Sequence, residues 1–342
     1  MKVAVFSTEP YDRTFLDAAN AASGAEHELI YFDTRLEPHT ASLAAEFPAV
    51  CAFVNDDIGV ETLKILSEGQ TRLITLRSTG YNNVDLETAS ALGIKVTRVT
   101  VYSPYSVAEF AICLILALNR KIYRAYNRVR DDNFSLNGLL GFDLHSRTVG
   151  IIGTGKIGTI CAQILNGFEC KLLGYDPYPN PQFEALENTQ YVDLPELLAT
   201  SDVISLHCPL TPENRYLINA ATIAQMKPGV MLINTSRGGL VDTQAVIDGI
   251  KSGKIGSLGI DVYEREEEIF FKDLSDTIIQ DDNFQLLQSF PNVVITSHQG
   301  YFTEDALSDI AKTTIENISD FALGNPLKHA IEPPEKNPVS VR

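Results

Sequence analysis

Short apolar runs recur through the first hundred residues, at 3–6, 29–32, 50–54, 73–76 and 94–99, and stretches of helical periodicity separate them. Runs of this length alternating with helical patterns predict parallel βαβ units. From about residue 105 to 130 the pattern becomes one long amphipathic stretch, apolar first and then basic and polar with Tyr123 and Tyr126, which reads as an inter-domain helix. The alternation restarts with richer runs at 149–152, 171–175, 203–207, 230–234, 257–260 and 293–296. Near-continuous apolar strands are the kind that helices cover on both faces. One helical pattern follows from 304 to about 323, and Pro326, Pro333, Pro334 and Pro338 mark an irregular tail. The prediction is two doubly wound α/β units and a lone C-terminal helix that must pack on one of them.

Composition narrows the function classes. The 342 residues are 44% hydrophobic and 21% charged, ordinary globular values and enough chain for two cores. The longest near-apolar run, 110–118, is far short of the roughly 20 residues a membrane span needs, and Met1-Lys2-Val3 leads into a strand pattern rather than a leader peptide. A net charge of −17 repels phosphate backbones and anionic lipid, so no nucleic-acid or membrane partner is expected. An anionic substrate would then need a well-placed arginine or helix N-termini to attract it. The five cysteines, Cys51, Cys113, Cys161, Cys170 and Cys208, form neither a CxxC pair nor a metal-ligand spacing. They read as small core residues of a protein in a reducing cytoplasm, and no metal is expected.

Gly153-Thr154-Gly155-Lys156-Ile157-Gly158 fits GxGxxG, a weak signal alone. Its context strengthens it: a strand pattern precedes it, a helical pattern follows, and a second strand ends at Asp176, 18 residues past the last glycine. Gly153 allows the tight turn, Gly155 lets backbone approach a pyrophosphate, and Gly158 permits close helix–strand packing. Asp176 suits the adenosine ribose hydroxyls and repels a 2′-phosphate, so NAD is expected, and NADPH use is disfavoured. The plainer reading of Asp176 is a turn residue before Pro177.

Reduction of a keto acid needs a group on the carboxylate and carbonyl, an acid to protonate the nascent alkoxide, and a partner that keeps that acid charged. Three strand ends offer one group each: Arg237 after the run 230–233, Glu266 beyond 257–260, and His298 after 293–297. The carboxyl ends of strands are where open α/β sheets bind ligands. Singly, each has a plain reading as a solvated side chain, Glu266 above all within the acidic run 264–268. A carboxylate beside a histidine favours the charged ring, as a proton donor near neutral pH requires. His207 reads as a structural, hydrogen-bonded residue near the cofactor.

These residues carry a resemblance. Arg77-Ser78-Thr79-Gly80-Tyr81-Asn82-Asn83-Val84-Asp85, Val101-Tyr102-Ser103-Pro104, the glycine fingerprint, His207-Cys208-Pro209-Leu210-Thr211, Asn234-Thr235-Ser236-Arg237-Gly238, Asp261-Val262-Tyr263-Glu264 and Ser297-His298 occur in this order. The chain resembles the D-2-hydroxyacid dehydrogenases over nearly its whole length, and within them the D-lactate dehydrogenase branch. The resemblance implies that Arg237 binds substrate, Glu266 pairs with the histidine, and His298 is the acid/base and borders the cofactor. It also implies that Asp261 lies near the nicotinamide and that Cys208, Pro209, Thr235 and Ser236 border the cofactor. Thr79 and Gly80 would offer N–H groups to the substrate carboxylate, with Tyr102 and Tyr301 lining the pocket.

The implied architecture is a discontinuous flavodoxin-like substrate domain, 1–101 with 300–342, and a Rossmann NAD-binding domain, 102–299, with a cleft between. Two departures stand out: Phe110 where many relatives have histidine, and Thr100 where a proline is common. Formate dehydrogenases of this superfamily carry glutamine at the position of Glu266, which argues against that branch. Pyruvate is the first-choice substrate, with glyoxylate, hydroxypyruvate or phenylpyruvate behind it, and a homodimer is implied. A different class, an NADH-sensing regulatory dimer of the same fold, stands as the alternative.

Overall fold

A computed structural model of the protein describes residues 1–333; the tail prolines Pro334 and Pro338 lie outside the described residues. Among the described residues the chain forms two compact units, one of residues 1–103 and 302–333, the other Pro104–Tyr301.

The first unit is built on a five-stranded parallel sheet of β1 (Lys2–Val5), β2 (Glu28–Tyr31), β3 (Ala49–Ala52), β4 (Leu73–Leu76) and β5 (Lys95–Thr97). Its order is β2-β1-β3-β4-β5, the flavodoxin-like winding. The central strands β3 and β4 are buried at every position, because helices cover both faces. The lone helix Glu304–Leu323 packs on this unit against Pro10–Ser23, burying Ala311, Ile315 and Ile318 beside Val3, Val5 and Leu73.

The second unit holds a seven-stranded parallel sheet of β6 (Thr148–Ile152), β7 (Lys171–Tyr175), β8 (Thr189–Tyr191), β9 (Val203–Leu206), β10 (Val230–Asn234), β11 (Ile255–Ile260) and β12 (Val293–Ile295). The order β12-β11-β10-β9-β6-β7-β8 reverses between β6 and β9, the switch point at which a Rossmann sheet binds its ligand. The edge strand β8 was not expected, since Thr189–Tyr191 is short and only half-buried and leaves little apolar pattern.

The stretch 105–130 is not one inter-domain helix. Pro104–Arg120 belongs to the second unit, where Ala111, Leu114, Ile115 and Leu118 are buried over its sheet. Lys121 then takes a left-handed conformation (φ 49°), and a separate helix, Ile122–Arg130, buries no residue. Fully buried apolar positions stop at Leu118, and beyond it only Tyr123 still packs partly against that core, so little packing holds the helix to its direction.

Candidate active site

The second unit's candidate residues stand on the carboxyl ends of β6, β7, β9, β10, β11 and β12. At the first of these, Gly153 has φ 94°, and a Cβ on it would lie 2.4 Å from the Cys208 amide nitrogen. A Cβ on Gly158 would meet the Gly153 carbonyl oxygen at 2.0 Å, so only glycine lets the helix Lys156–Asn166 start this close to β6. Gly155 caps that helix and faces open space, with no atom within 4 Å of a built Cβ. Lys156 is exposed beside it and Ile157 half-buried.

Asp176, past the end of β7, accepts from the Thr154 amide at 2.8 Å and the Tyr178 amide at 2.9 Å. A carboxylate has about four acceptor positions, so capacity for ribose hydroxyls remains. His207 lies beside the glycine turn, its Cβ 3.3 Å from where a Gly158 Cβ would stand, and its Nδ1, like the Thr235 hydroxyl past β10, is buried without a hydrogen-bond partner among the described residues. His207 is therefore satisfied on one side alone, through Nε2 and the Ser205 hydroxyl at 2.9 Å. Desolvation pushes its pKa down to about 4, which leaves a neutral ring.

A ladder of hydrogen bonds ties the neighbouring strand ends together. The Ser236 hydroxyl donates to the Cys208 carbonyl at 2.6 Å, joining the ends of β10 and β9, while Pro209 beyond it is exposed. Asn234 folds the turn after β10, its amide donating to the Arg237 carbonyl at 2.9 Å and its Oδ1 accepting from the Ser236 amide at 3.0 Å. The Asn234 carbonyl accepts from the Asp261 amide at 2.9 Å, and the Asp261 carbonyl accepts from the His298 amide at 2.7 Å. Gly238 is pressed against the Tyr263–Glu264 peptide, where a Cβ would fall 2.1 Å from the Tyr263 carbonyl carbon. The turn that presents Arg237 thus lies directly against the segment that leads to Glu266.

Arg237 is half-buried, and its Nη1 donates to the Ser236 carbonyl at 2.7 Å. Glu266 is half-buried and paired, despite its acidic surroundings. Its Oε1 sits 2.9 Å from His298 Nδ1, and its Oε2 accepts from the Tyr263 amide at 3.0 Å. With Nδ1 engaged, Nε2 is the ring nitrogen left to face a substrate. The neighbouring Glu264 is held apart by the Tyr216 hydroxyl at 2.8 Å.

Asp261 is 1% exposed and both its carboxylate oxygens are occupied. Oδ1 accepts from the Thr296 hydroxyl at 2.5 Å and the Gln299 amide at 2.9 Å, and Oδ2 from the Gly300 amide at 2.8 Å. Burial raises its pKa above the usual carboxylate range, against the pull of these donors and of His298. This carboxylate holds the loop on which His298 sits at φ 55°.

The rings of Phe271 and Tyr301 lie 6.0 and 6.4 Å from the imidazole. Phe271 was not anticipated; its one signal is an apolar Phe270-Phe271 pair directly after the acidic run. Phe110, the departure noted above, packs 3.4 Å from where a Gly300 Cβ would stand, two residues past His298.

Thr79, Gly80 and Tyr102 belong to the first unit and are half-buried. Carbonyls on the Ser78–Gly80 turn accept from the Val99 amide at 3.0 Å, from Arg98 Nη1 at 2.9 Å and from the Ser78 hydroxyl at 2.7 Å. The amides of Thr79, Gly80 and Tyr81 have no acceptor among the described residues. Successive free amides on a turn are chemically fit for an anion.

Comparison with known proteins supplies the family. The profile described as "D-isomer specific 2-hydroxyacid dehydrogenase, NAD binding domain" matches residues 112–300. The D-lactate dehydrogenase of Escherichia coli (strain K12) is 51% identical over 325 residues, which cover 95% of this chain and 98% of that protein. The chain belongs to the D-isomer-specific 2-hydroxyacid dehydrogenases. It sits in the D-lactate dehydrogenase branch of that family and is an NAD-dependent oxidoreductase. Two solved structures agree. The pyruvate reductase of Chlamydomonas reinhardtii superposes with a TM-score of 0.91 at 43% identity, covering 96% of this chain and 98% of that one. A D-lactate dehydrogenase with NAD+ from Lactobacillus jensenii does so with 0.82 at 31% identity, covering 97% and 100%.

The residues of this 2-hydroxyacid dehydrogenase fit the dinucleotide its family takes. The open helix N-terminus at Gly155, the spare acceptor capacity of the Asp176 carboxylate, and the orphaned Thr235 hydroxyl and His207 nitrogen are a donor and acceptor set suited to it. A bare structural glycine turn would not need them.

Proposed function

We propose that this 2-hydroxyacid dehydrogenase is a D-lactate dehydrogenase that reduces pyruvate. The reading rests above all on the 2.9 Å pair of His298 Nδ1 and Glu266 Oε1, tied through Asp261 and Asn234 to the turn that presents Arg237. The names of its relatives, D-lactate dehydrogenase and pyruvate reductase, support the same substrate.

When bound, NADH supplies the hydride that reduces the keto carbon. The residues do the rest. The Arg237 guanidinium takes the substrate carboxylate in a two-pronged contact and draws charge from the carbonyl. Thr79 and Gly80 of the first unit supply backbone N–H groups for the substrate. Tyr102 and Tyr301 set the space for its side chain. His298 delivers a proton from Nε2 to the nascent alkoxide, and Glu266 keeps the ring charged until it does. Asp176 accepts the adenosine ribose hydroxyls and selects against a 2′-phosphate; Cys208, Pro209, Thr235 and Ser236 border the dinucleotide.

We also assign a homodimer. The helix Ile122–Arg130 exposes Ile122, Tyr126 and Val129 on one face, and the following loop exposes Phe134, Leu136 and Leu140, the last at 88%. Apolar surface of this extent marks a protein contact. Five free thiols, three of them buried, suit a reducing cytoplasm. Among the described residues no helix is long and apolar enough to cross a membrane.

The deciding experiment is steady-state oxidation of NADH and NADPH with pyruvate, glyoxylate, hydroxypyruvate and phenylpyruvate, with the handedness of the product assayed. NADH-dependent D-lactate formation, fastest with pyruvate and slow with NADPH, is expected. Faster turnover of another keto acid would move the substrate. NADH binding without turnover of any of them would favour a regulatory dimer.

A further inference from the structure

The three carbonyl contacts on the turn Ser78–Gly80 are unequal. Two come from neutral donors, the Val99 amide and the Ser78 hydroxyl, and one comes from a charge: Arg98 Nη1 to the Thr79 carbonyl at 2.9 Å. The Thr79 carbonyl and the Gly80 N–H belong to one planar trans peptide and point in opposite directions. A cation on the carbonyl therefore fixes which way the Gly80 N–H points, and it polarises that peptide so that the N–H donates more strongly. The same guanidinium lies 4.9 Å from the centre of the Tyr81 ring, which locks the other end of the turn.

Arg98 is itself held from both sides. Its amide donates to the His329 carbonyl at 3.1 Å, and its carbonyl accepts from Nδ2 of Asn317, a buried residue of the helix Glu304–Leu323, at 3.2 Å. Around it the chain after that helix lies along β5. Thr97 bridges Ala330 in antiparallel fashion, the Ile331 amide donates to the Val96 carbonyl at 2.8 Å, and His329 Nδ1 sits 3.0 Å from the Thr100 hydroxyl. The departure at Thr100 thereby gains a role, since proline would offer no hydroxyl to this strap.

We propose that Arg98 is a positioning residue for substrate binding, aiming and polarising the Gly80 N–H toward the substrate carboxylate while the strap 329–331 holds Arg98 in place. The proposal rests on the assignment of Thr79 and Gly80 to the substrate.

The test compares the full-length wild type with Arg98→Met and Arg98→Gln in three readouts: KM and kcat for pyruvate, inhibition by oxamate, and NADH affinity from fluorescence. In Arg98→Met the KM for pyruvate and the inhibition constant of oxamate should both rise about tenfold, the size of one lost hydrogen bond from a charged donor. NADH affinity should hold and kcat should fall less than KM rises. Arg98→Lys, which keeps the charge, should recover part of the loss. A KM unchanged in Arg98→Met, or a loss of NADH affinity in step with it, overturns the role. Should Arg98→Met not fold, Arg98→Gln, which keeps an amide donor without charge, is read by the same criterion. A wild type that turns over no keto acid would instead remove the underlying assignment, a separately visible result.

Discussion

His298 sits in a left-handed backbone conformation that side-chain-bearing residues seldom adopt, with φ 55°. Its amide is held by the Asp261 carbonyl and its ring by Glu266, so both the backbone and the imidazole have a single orientation. Glu266 contributes geometry and charge together, and these can be separated. Glu266→Gln keeps an oxygen for Nδ1–H but removes the negative charge from the pair. Under the proposed function, kcat for pyruvate should fall in the variant by about ten- to a hundredfold, the scale of one general acid's support, while NADH affinity holds. An unchanged kcat would detach Glu266 from the proton step. The acidic run 264–268 hid this residue, because only the fold shows that Glu264 faces Tyr216 and Glu266 faces the histidine.

At the level of elements, the active arrangement is a property of adjacent strand ends. The registers β9 to β10, β10 to β11 and β11 to β12 bring Asn234, Asp261 and the loop after Ile295 to one edge of the sheet. Asp261 connects them, being the acceptor for Thr296, Gln299 and Gly300 around His298. Family resemblance suggested it as a neighbour of the nicotinamide; its hydrogen bonds show the work it does within the loop. Asparagine there would turn an N–H2 group toward donating amides. Asp261→Asn should lower kcat by about a hundredfold, the scale of a roughly 1 Å misplacement of a reacting group, with NADH affinity changing less. Retention of wild-type kcat would mean that the loop holds its shape without this carboxylate.

For the molecule as a whole, the exposed apolar surface of 122–140 is the feature on which the proposed homodimer rests. Leu136→Glu combined with Leu140→Glu should shift sedimentation from dimer to monomer at micromolar concentration, since a charge at a buried contact is costly without a counter-charge. A wild type that sediments as a monomer would refute the assignment.

The two-sheet organisation was legible in the chain, because strands buried on both faces must be continuously apolar and parallel strands must be separated by helices. The glycine fingerprint was legible from its spacing between a strand pattern and a helical one, whereas the clash that demands glycine at Gly153, with the backbone of His207 and Cys208, belongs to the tertiary structure. Strand β8 and the break at Lys121 were not, since each turns on what the segment packs against rather than on its own periodicity. The link from Arg98 to Thr79, the ladder from Asn234 through Asp261 to His298, and the seat of Phe271 beside the imidazole join residues far apart in the chain. Local pattern reports the period of an element and its ends. Which ends come to lie side by side depends on sheet order and register, and these are set by packing over the whole sheet.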